Sequence, residues 1–301
     1  MMIGGDGNVR WLVAATAGDS VTAGPAGRSL LQVEALQKHY AAGGGLFAAA
    51  RNIAAVKQAT FSIGENEFVA LVGESGSGKS TIAKMLVGLE PPTAGKILLN
   101  SENLVDPALR SRARRATSLQ MVFQDPQSAL NPRRRVASIV TQAMEAGSRH
   151  ANWDERLART RELLAEVGLS VDFAARLPGQ LSGGQRQRIN IARALCTLPK
   201  ILVADEIVSG LDVSIQAQLL NLLARLRAEL GFAMLFISHD LSVVRHLCSR
   251  VLVMYGGEIV EEGAVEKVFA DPQHAHTRAL LSSVPPDEPE AAWPSLDRNS
   301  S

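Results

Sequence analysis

Residues 73–81 read GESGSGKST, which puts Gly73, Gly78, Lys79 and Ser80 at the spacing G-x-x-x-x-G-K-[ST]. Glycines let a backbone turn through positive φ and leave no Cβ to hold a ligand away. Successive N–H groups can then point inward as an anion nest at the start of a helix. The run Gly73, Glu74, Ser75, Gly76, Ser77, Gly78, Lys79, Ser80 and Thr81 is therefore a candidate cradle for the phosphates of a nucleotide. Lys79 offers a point charge for the β- and γ-phosphates, and the Ser80 hydroxyl is a hard oxygen ligand for Mg2+. A second pair lies in ILVADE, where Asp205 and Glu206 end an apolar strand. The carboxyl ends of such strands face the ligand in α/β nucleotide folds. Asp205 can hold Mg2+ directly or through water, and Glu206 can act as the general base for water attacking the γ-phosphate. Alone, the acidic pair reads equally as a solvated strand end. Beside a phosphate loop, the catalytic reading prevails.

These residues need elements to position them. The apolar run FVALV precedes the glycine loop and the helical pattern IAKMLVGL follows it, the strand–loop–helix unit of an α/β nucleotide fold. LLQVEALQKHY (30–40) alternates like a half-buried strand, and AAGGGLFAAA (41–50) reads as a loop. AVKQATFSI, GENE and FVALV read as a hairpin. From about Asp106 to Leu198 helical patterns dominate, as in WDERLARTRELLAEVGL with its stripe of Leu157, Leu163, Leu164 and Val167. Strand and helix alternate again after that, from ILVA (201–204) through SIQAQLLNLLARLRAEL, AMLFIS and SVVRHLC to RVLVMY, EIVEEG and AVEKVFA. Residues 1–28 read as a disordered leader and 285–301 as a disordered tail around one domain at 29–284, with a helical insertion at about 106–198.

Composition narrows the class. The 301 residues carry 31 Lys+Arg against 30 Asp+Glu, so no basic excess points to nucleic acid. An apolar share of 46% excludes disorder as the overall state. Cys196 and Cys248 stand far apart and form neither a disulfide framework nor a zinc cluster. No run approaches the ~18 apolar residues of a spanning helix, and Trp11 to Ala17 is short for a secretory signal. The reading is a soluble chain whose membrane role, if it has one, is peripheral.

LSGGQRQR at 181–188 joins these motifs. Together they resemble the nucleotide-binding domain of ATP-binding cassette (ABC) proteins, and the likeness covers about Leu30 to Pro286. Gln124 in MVFQDP, Asp212 in SGLD and His239 in ISHDLS match further marks of that family, and Tyr40 stands where it places an adenine-stacking aromatic. The resemblance implies an α/β P-loop NTPase core with an antiparallel β subdomain and an inserted helical subdomain. It implies ATP and Mg2+ as cofactors, with Ser80, Gln124 and Asp205 around the metal and Glu206, Gln124 and His239 as catalytic residues. Two cassettes pair head to tail in the family, so that Ser182, Gly183, Gly184 and Gln185 of one, with Asp212, meet the nucleotide held by the other.

QDPQSALNPRRR (124–135), DVSIQAQ (212–218) and DPQHAHTRALLSSVP (271–285) are similar to the oligopeptide, dipeptide and nickel importer branch. That branch implies two integral-membrane permease subunits, a second ABC ATPase subunit or a homodimer, an external solute-binding protein and no nucleic acid. It implies a peripheral place on the cytoplasmic face of a bacterial inner membrane. An exporter ATPase and a soluble ABC ATPase of translation or DNA repair remain the alternatives. The soluble members resemble tandem cassettes or carry a long coiled coil, and this chain has neither. A binding module without turnover needs a damaged catalytic Glu, whereas Glu206 is present. Arg133, Arg134 and Arg135 read as a solvated face or a permease contact.

The chain also departs from the family. Ile207 and Val208 stand where Pro-Thr or Pro-Val is usual, and Gly210 replaces Ala. Losing proline frees φ at 207, so a looser loop and modestly slower hydrolysis are expected. The branch's C-terminal cysteine cluster is missing, so no iron–sulfur site is expected. His274-Ala275-His276-Thr277 replaces His-Pro-Tyr-Thr and reads as a solvated loop.

Overall fold

A computed structural model describes residues 29–42, 51–105, 115, 117–146 and 151–283. The expected leader and tail, and residues 43–50 of the small-residue loop, lie outside the described residues.

Ten strands form one sheet: β1 (Leu31–Ala42), β2 (Arg51–Ile63), β3 (Phe68–Val72), β4 (Ala94–Leu99), β5 (Glu102–Asn103), β6 (Leu119–Val122), β7 (Ile201–Asp205), β8 (Ala233–Ile237), β9 (Arg250–Tyr255) and β10 (Glu258–Ala264). Their order is β5-β4-β1-β2-β10-β9-β3-β8-β7-β6. From β9 to β6 the neighbours run parallel, and from β5 to β2 antiparallel. Helix α1 (Lys79–Leu86) follows β3. Among the described residues, five α-helices lie between β6 and β7: α2 (Pro126–Ala129), α3 (Val136–Val140), α4 (Gln142–Ala146), α5 (Trp153–Glu166) and α6 (Gly183–Leu195). The rest are α7 (Val213–Leu230), α8 (Leu241–Leu247), α9 (Val265–Ala270) and α10 (Ala275–Ser282). No helix among the described residues is long and apolar enough to cross a membrane.

The parallel strands are buried on both faces, and alternate residues feed two cores. Phe68, Ala70 and Val72 join the helical side with Leu202, Ala204, Phe236 and Ile191. Val69 and Leu71 join the opposite side with Ile82, Leu86, Val33 and Phe61, between α1 and the antiparallel strands.

Two expectations change. The hairpin is absent: β2 pairs with β1 and β10, whereas β3 lies between β8 and β9. FVALV has no polar alternation, so it cannot be half of a ribbon with one wet face, and all five residues are buried. The region 106–198 is not wholly helical either. LQMV forms β6 and pairs in parallel with β7, so a strand lies within the expected helical insertion. Four residues are too short a run for period to separate strand from helix.

Candidate active site

The phosphate loop leaves β3 between two backbones that admit no side chain. A Cβ on Gly73, at φ +147, would lie 2.1 Å from the Met254 carbonyl oxygen, and one on Gly78, at φ +110, 2.4 Å from that of Ala55. Strands β9 and β2 therefore hold the loop closed from outside, and glycine is required at both ends. Lys79 reaches back into the loop: its Nζ donates to the Gly73 and Glu74 carbonyls at 2.8 and 2.7 Å and lies 3.4 Å from Ser77 Oγ. Burial holds the Lys79 pKa below the ordinary ammonium value, against the pull of Glu206, Asp205 and Glu74.

Ser80 Oγ donates to Asp205 Oδ1 at 3.2 Å, so the first turn of α1 meets the end of β7. The Asp205 carboxyl is 5% exposed. Burial, then the neighbouring Glu206 charge, raises its pKa despite Ser80 and Lys79. A buried carboxylate beside a hydroxyl, short of positive charge, suits a hard divalent cation, and the glycine loop with Lys79 suits phosphates.

Asp205→Asn is expected to raise the melting temperature of the nucleotide-free protein at pH 7. Each kcal/mol recovered is worth about 2–4 °C for a domain of this size. A group with a raised folded pKa contributes stability that is full below its unfolded pKa and lost as pH rises through the folded one. The gap between the variant and the parent chain therefore closes as pH falls toward about 4. Calorimetry across that range checks it, and a variant less stable than the parent at pH 7 removes the argument.

Glu206 follows Asp205 at φ +47, a left-handed backbone of the kind that folds keep where geometry is imposed. Its N–H donates to the Ile237 carbonyl at 2.9 Å and its carbonyl accepts from Ser209 N at 3.1 Å. Two side chains converge on one carboxylate oxygen. Gln124 Nε2 donates to Glu206 Oε2 at 3.0 Å, and His239 Nδ1 lies 3.6 Å from the same atom. They arrive from the ends of β6 and β8, which flank β7 in the parallel sheet. Glu206, Ser209, Gly210, Gln216, His239 and Asp240 line a cavity of about 120 Å³ here.

Ser182 caps α6. Its Oγ accepts from Gln185 N at 3.3 Å, while Gln185 Oε1 accepts from Ser182 N at 2.9 Å. Gly183 opens onto a groove of about 320 Å³ shared with Gln124, Asp125, Gln187, Gly210 and Leu211. Asp212 caps α7 by accepting from Ile215 N at 2.9 Å.

The chain is similar to known proteins. The model of the ABC transporter family matches residues 56–209. The chain is 42% identical over 256 residues to the dipeptide transport ATP-binding protein DppF of Haemophilus influenzae, covering 85% of this chain and 78% of that one. It is 45% identical over 261 residues to the putative oligopeptide transport ATP-binding protein YkfD of Bacillus subtilis, covering 87% and 78%.

The chain belongs to the ABC transporter family.

Solved cassettes share its fold. One is MJ0796, a dimeric ATP-binding cassette in a post-hydrolysis state bound to ADP and Pi, at 30% identity and TM-score 0.68 over 78% of this chain and 98% of that one. Another is cbiO1 of Clostridium perfringens, part of an ABC transporter complex, at 29% identity and TM-score 0.69 over 81% and 91%.

Within this cassette, Gly73 to Thr81, Asp205, Glu206, Gln124 and His239 surround one site. Tyr40 sits further out on β1 opposite Ile53, two residues before the Ala55 carbonyl that crowds Gly78. Of Ser182 to Gln185, Gly183 lines the groove with Gln124, and among the described residues no hydrogen bond joins the four to the phosphate loop of the same copy.

The loop after Glu206 is held by packing in place of proline. Ile207 and Val208 are 1% and 5% exposed, and the Ile207 carbonyl accepts from Gln187 Nε2 at 3.0 Å. Burial of both side chains limits the freedom that the loss of proline gives at 207. The histidine segment is not a solvated loop. Glu261 accepts from Gln273 N and His274 N, which docks α10, and His274 Nδ1 caps it by accepting from His276 N. The His276 ring stacks on Tyr255 with centroids 4.0 Å apart and its side chain is 8% exposed. Arg134 is not simply solvated either, since it donates to both Glu145 oxygens at 2.6 and 2.8 Å.

Some residues at the site carry no motif signal. Lys38 lies 4.9 Å from the Tyr40 ring centroid, its ammonium fixed by Glu90 and the Pro91 carbonyl, so one face of the ring is already occupied. Gln187 and Asn190 are polar residues three apart on the otherwise apolar inner face of α6, and that interruption was the signal available.

Proposed function

We propose that the chain is the ATP-hydrolysing subunit of an importer of peptides or related small solutes, worked by ATP-driven head-to-tail dimerisation. The observation that carries the chemistry is the convergence of Gln124 and His239 on a single oxygen of Glu206. It leaves Glu206 Oε1 free, among the described residues, to take a proton from water. The loop amides of 73–81 and Lys79 hold the β- and γ-phosphates, and Tyr40 stacks on adenine. Ser80, Asp205 and Gln124 would hold Mg2+, which when bound would neutralise charge on the phosphate oxygens. His239 and Gln124 orient water and γ-phosphate. Ser182 to Gln185, with Asp212, receive the γ-phosphate bound by the partner copy, so loss of that phosphate releases the closed pair.

The import reading rests on the names of the relatives, transport ATP-binding proteins for dipeptides and oligopeptides. It assigns the cassette two integral-membrane permeases, a second ATPase subunit or a second copy, an external solute-binding protein, and a peripheral place on the cytoplasmic face of the inner membrane. The cassette domain is residues 29–284, with its helical insertion at about 106–198. A tagged pull-down from detergent-solubilised host membranes tests this. Two polytopic permeases and a second cassette are expected, and their identity narrows the solute. Ribosomal or DNA-repair partners without a membrane protein overturn the transport reading and leave the hydrolysis chemistry standing.

A further inference from the structure

Helix α6 carries two buried amides on its inner face, and each grips a backbone carbonyl beside a catalytic residue. Gln187 and Asn190 are 1% and 0% exposed, among the apolar Ile189, Ile191 and Ala194. Gln187 Nε2 donates to the carbonyl of Ile207, the residue after Glu206, at 3.0 Å. Asn190 Nδ2 donates to the carbonyl of Phe123, the residue before Gln124, at 3.0 Å. Asn190 is itself fixed, because its Oδ1 accepts from Arg193 Nη2 at 2.8 Å. Arg193 lies 5.1 Å from the Phe123 ring centroid and also donates to the Ala129 carbonyl at 2.9 Å. One rigid helix thus holds the backbone flanking both members of the Gln124–Glu206 hydrogen bond.

The same helix begins at Ser182 and Gly183, only one turn before Gln187. A push at its N-terminal end reaches both carbonyls without passing through a flexible segment. Apolar side chains would fill the space equally well, and buried amides are tolerated only where they are bonded. Gln187 Oε1 is buried and has no partner among the described residues, so that amide can take a second bond if the 207–210 loop moves.

We infer that Gln187 and Asn190 are positioning residues that tie the seating of α6 against the partner's nucleotide to the geometry of this copy's own Gln124–Glu206 pair. Each nucleotide thereby sets the hydrolytic readiness of the opposite site. The inference rests on the head-to-tail reading above.

The test uses the full chain and four measurements: melting temperature, ATP affinity, ATP-driven dimerisation in the Glu206→Gln background, and turnover against ATP concentration. Gln187→Met keeps the stem and removes the donor. It is expected to melt and bind ATP like the parent chain and to dimerise in the Glu206→Gln background. Its kcat should fall roughly 10–100-fold, the scale of small misplacements at a reacting centre, with KM within about twofold. Its Hill coefficient should drop toward 1. A residue that only fills space would leave kcat and the Hill coefficient untouched. If Gln187→Met melts below the assay temperature, Asn190→Leu reads the same link from the Gln124 end with the same outcomes. Turnover and Hill coefficient equal to the parent chain, with Glu206→Gln dimerising normally, overturn the inference alone. Failure of Glu206→Gln to dimerise with ATP, both alone and with the second cassette recovered in the pull-down, overturns the head-to-tail reading and the inference with it.

Discussion

Glu206→Gln binds ATP as the parent chain does and turns it over roughly 10²–10⁴-fold more slowly, the usual contribution of a positioned general base. The substitution isolates basicity. Glutamine has the shape of glutamate, so its carbonyl oxygen can take the place of Oε2, accepting from Gln124 Nε2 beside His239 Nδ1, while its amide replaces the basic Oε1. The left-handed backbone at 206 is fixed by main-chain bonds to Ile237 and Ser209, which the side chain does not touch. The phosphate loop is untouched as well, so affinity is expected to stay within about threefold, under 1 kcal/mol. With the γ-phosphate retained, the closed pair persists, and gel filtration in ATP shows a dimer that outlives the one formed by the parent chain. Full turnover in this variant removes Glu206 from the role of base and leaves His239 to be tested in its place.

Lys79→Ala weakens ATP binding itself. A hydrogen bond to a charged group is worth about 1.5–3 kcal/mol, so the loss of the phosphate contact lowers affinity by about 10–100-fold. The internal role of Lys79 sharpens the test. Its ammonium bridges the Gly73 and Glu74 carbonyls, and its removal leaves both to water and the loop less ordered. Its charge also interacts with those of Asp205 and Glu206, so their mutual repulsion is less offset without it. Lys79→Met keeps the apolar stem and removes the same ammonium, so it loses affinity as alanine does while retaining the packing of the stem. Equilibrium titration with a fluorescent ATP analogue measures the loss, and unchanged affinity in both variants takes Lys79 off the phosphates.

Much of this was written in local sequence. Phosphate loop, acidic pair and signature run are contiguous, because each must present backbone amides or strand-end carboxylates in one turn of chain. Glycine at 73 and 78 could be placed without knowing what crowds it, since only a residue without Cβ takes those φ values easily. The amphipathic period gave α7 to within one residue and α5 to within three.

Tertiary structure alone decided the rest, wherever a residue's neighbours lie far along the chain. FVALV looks like half of a hairpin until β8 and β9 claim its two edges, and LQMV is too short to show a period until β7 pairs with it. Ile207 reads as a lost proline, yet its side chain and carbonyl are held by packing and by Gln187, twenty residues away. The histidines near the C-terminus read as solvated, and only the docking of α10 by Glu261 brings His276 onto Tyr255. Sequence determined which groups could do the chemistry, because that depends on side-chain type and local backbone. Which oxygen of Glu206 is held, and by which helix, was left to long-range packing, because hydrogen-bond direction exists only once strands and helices have come together.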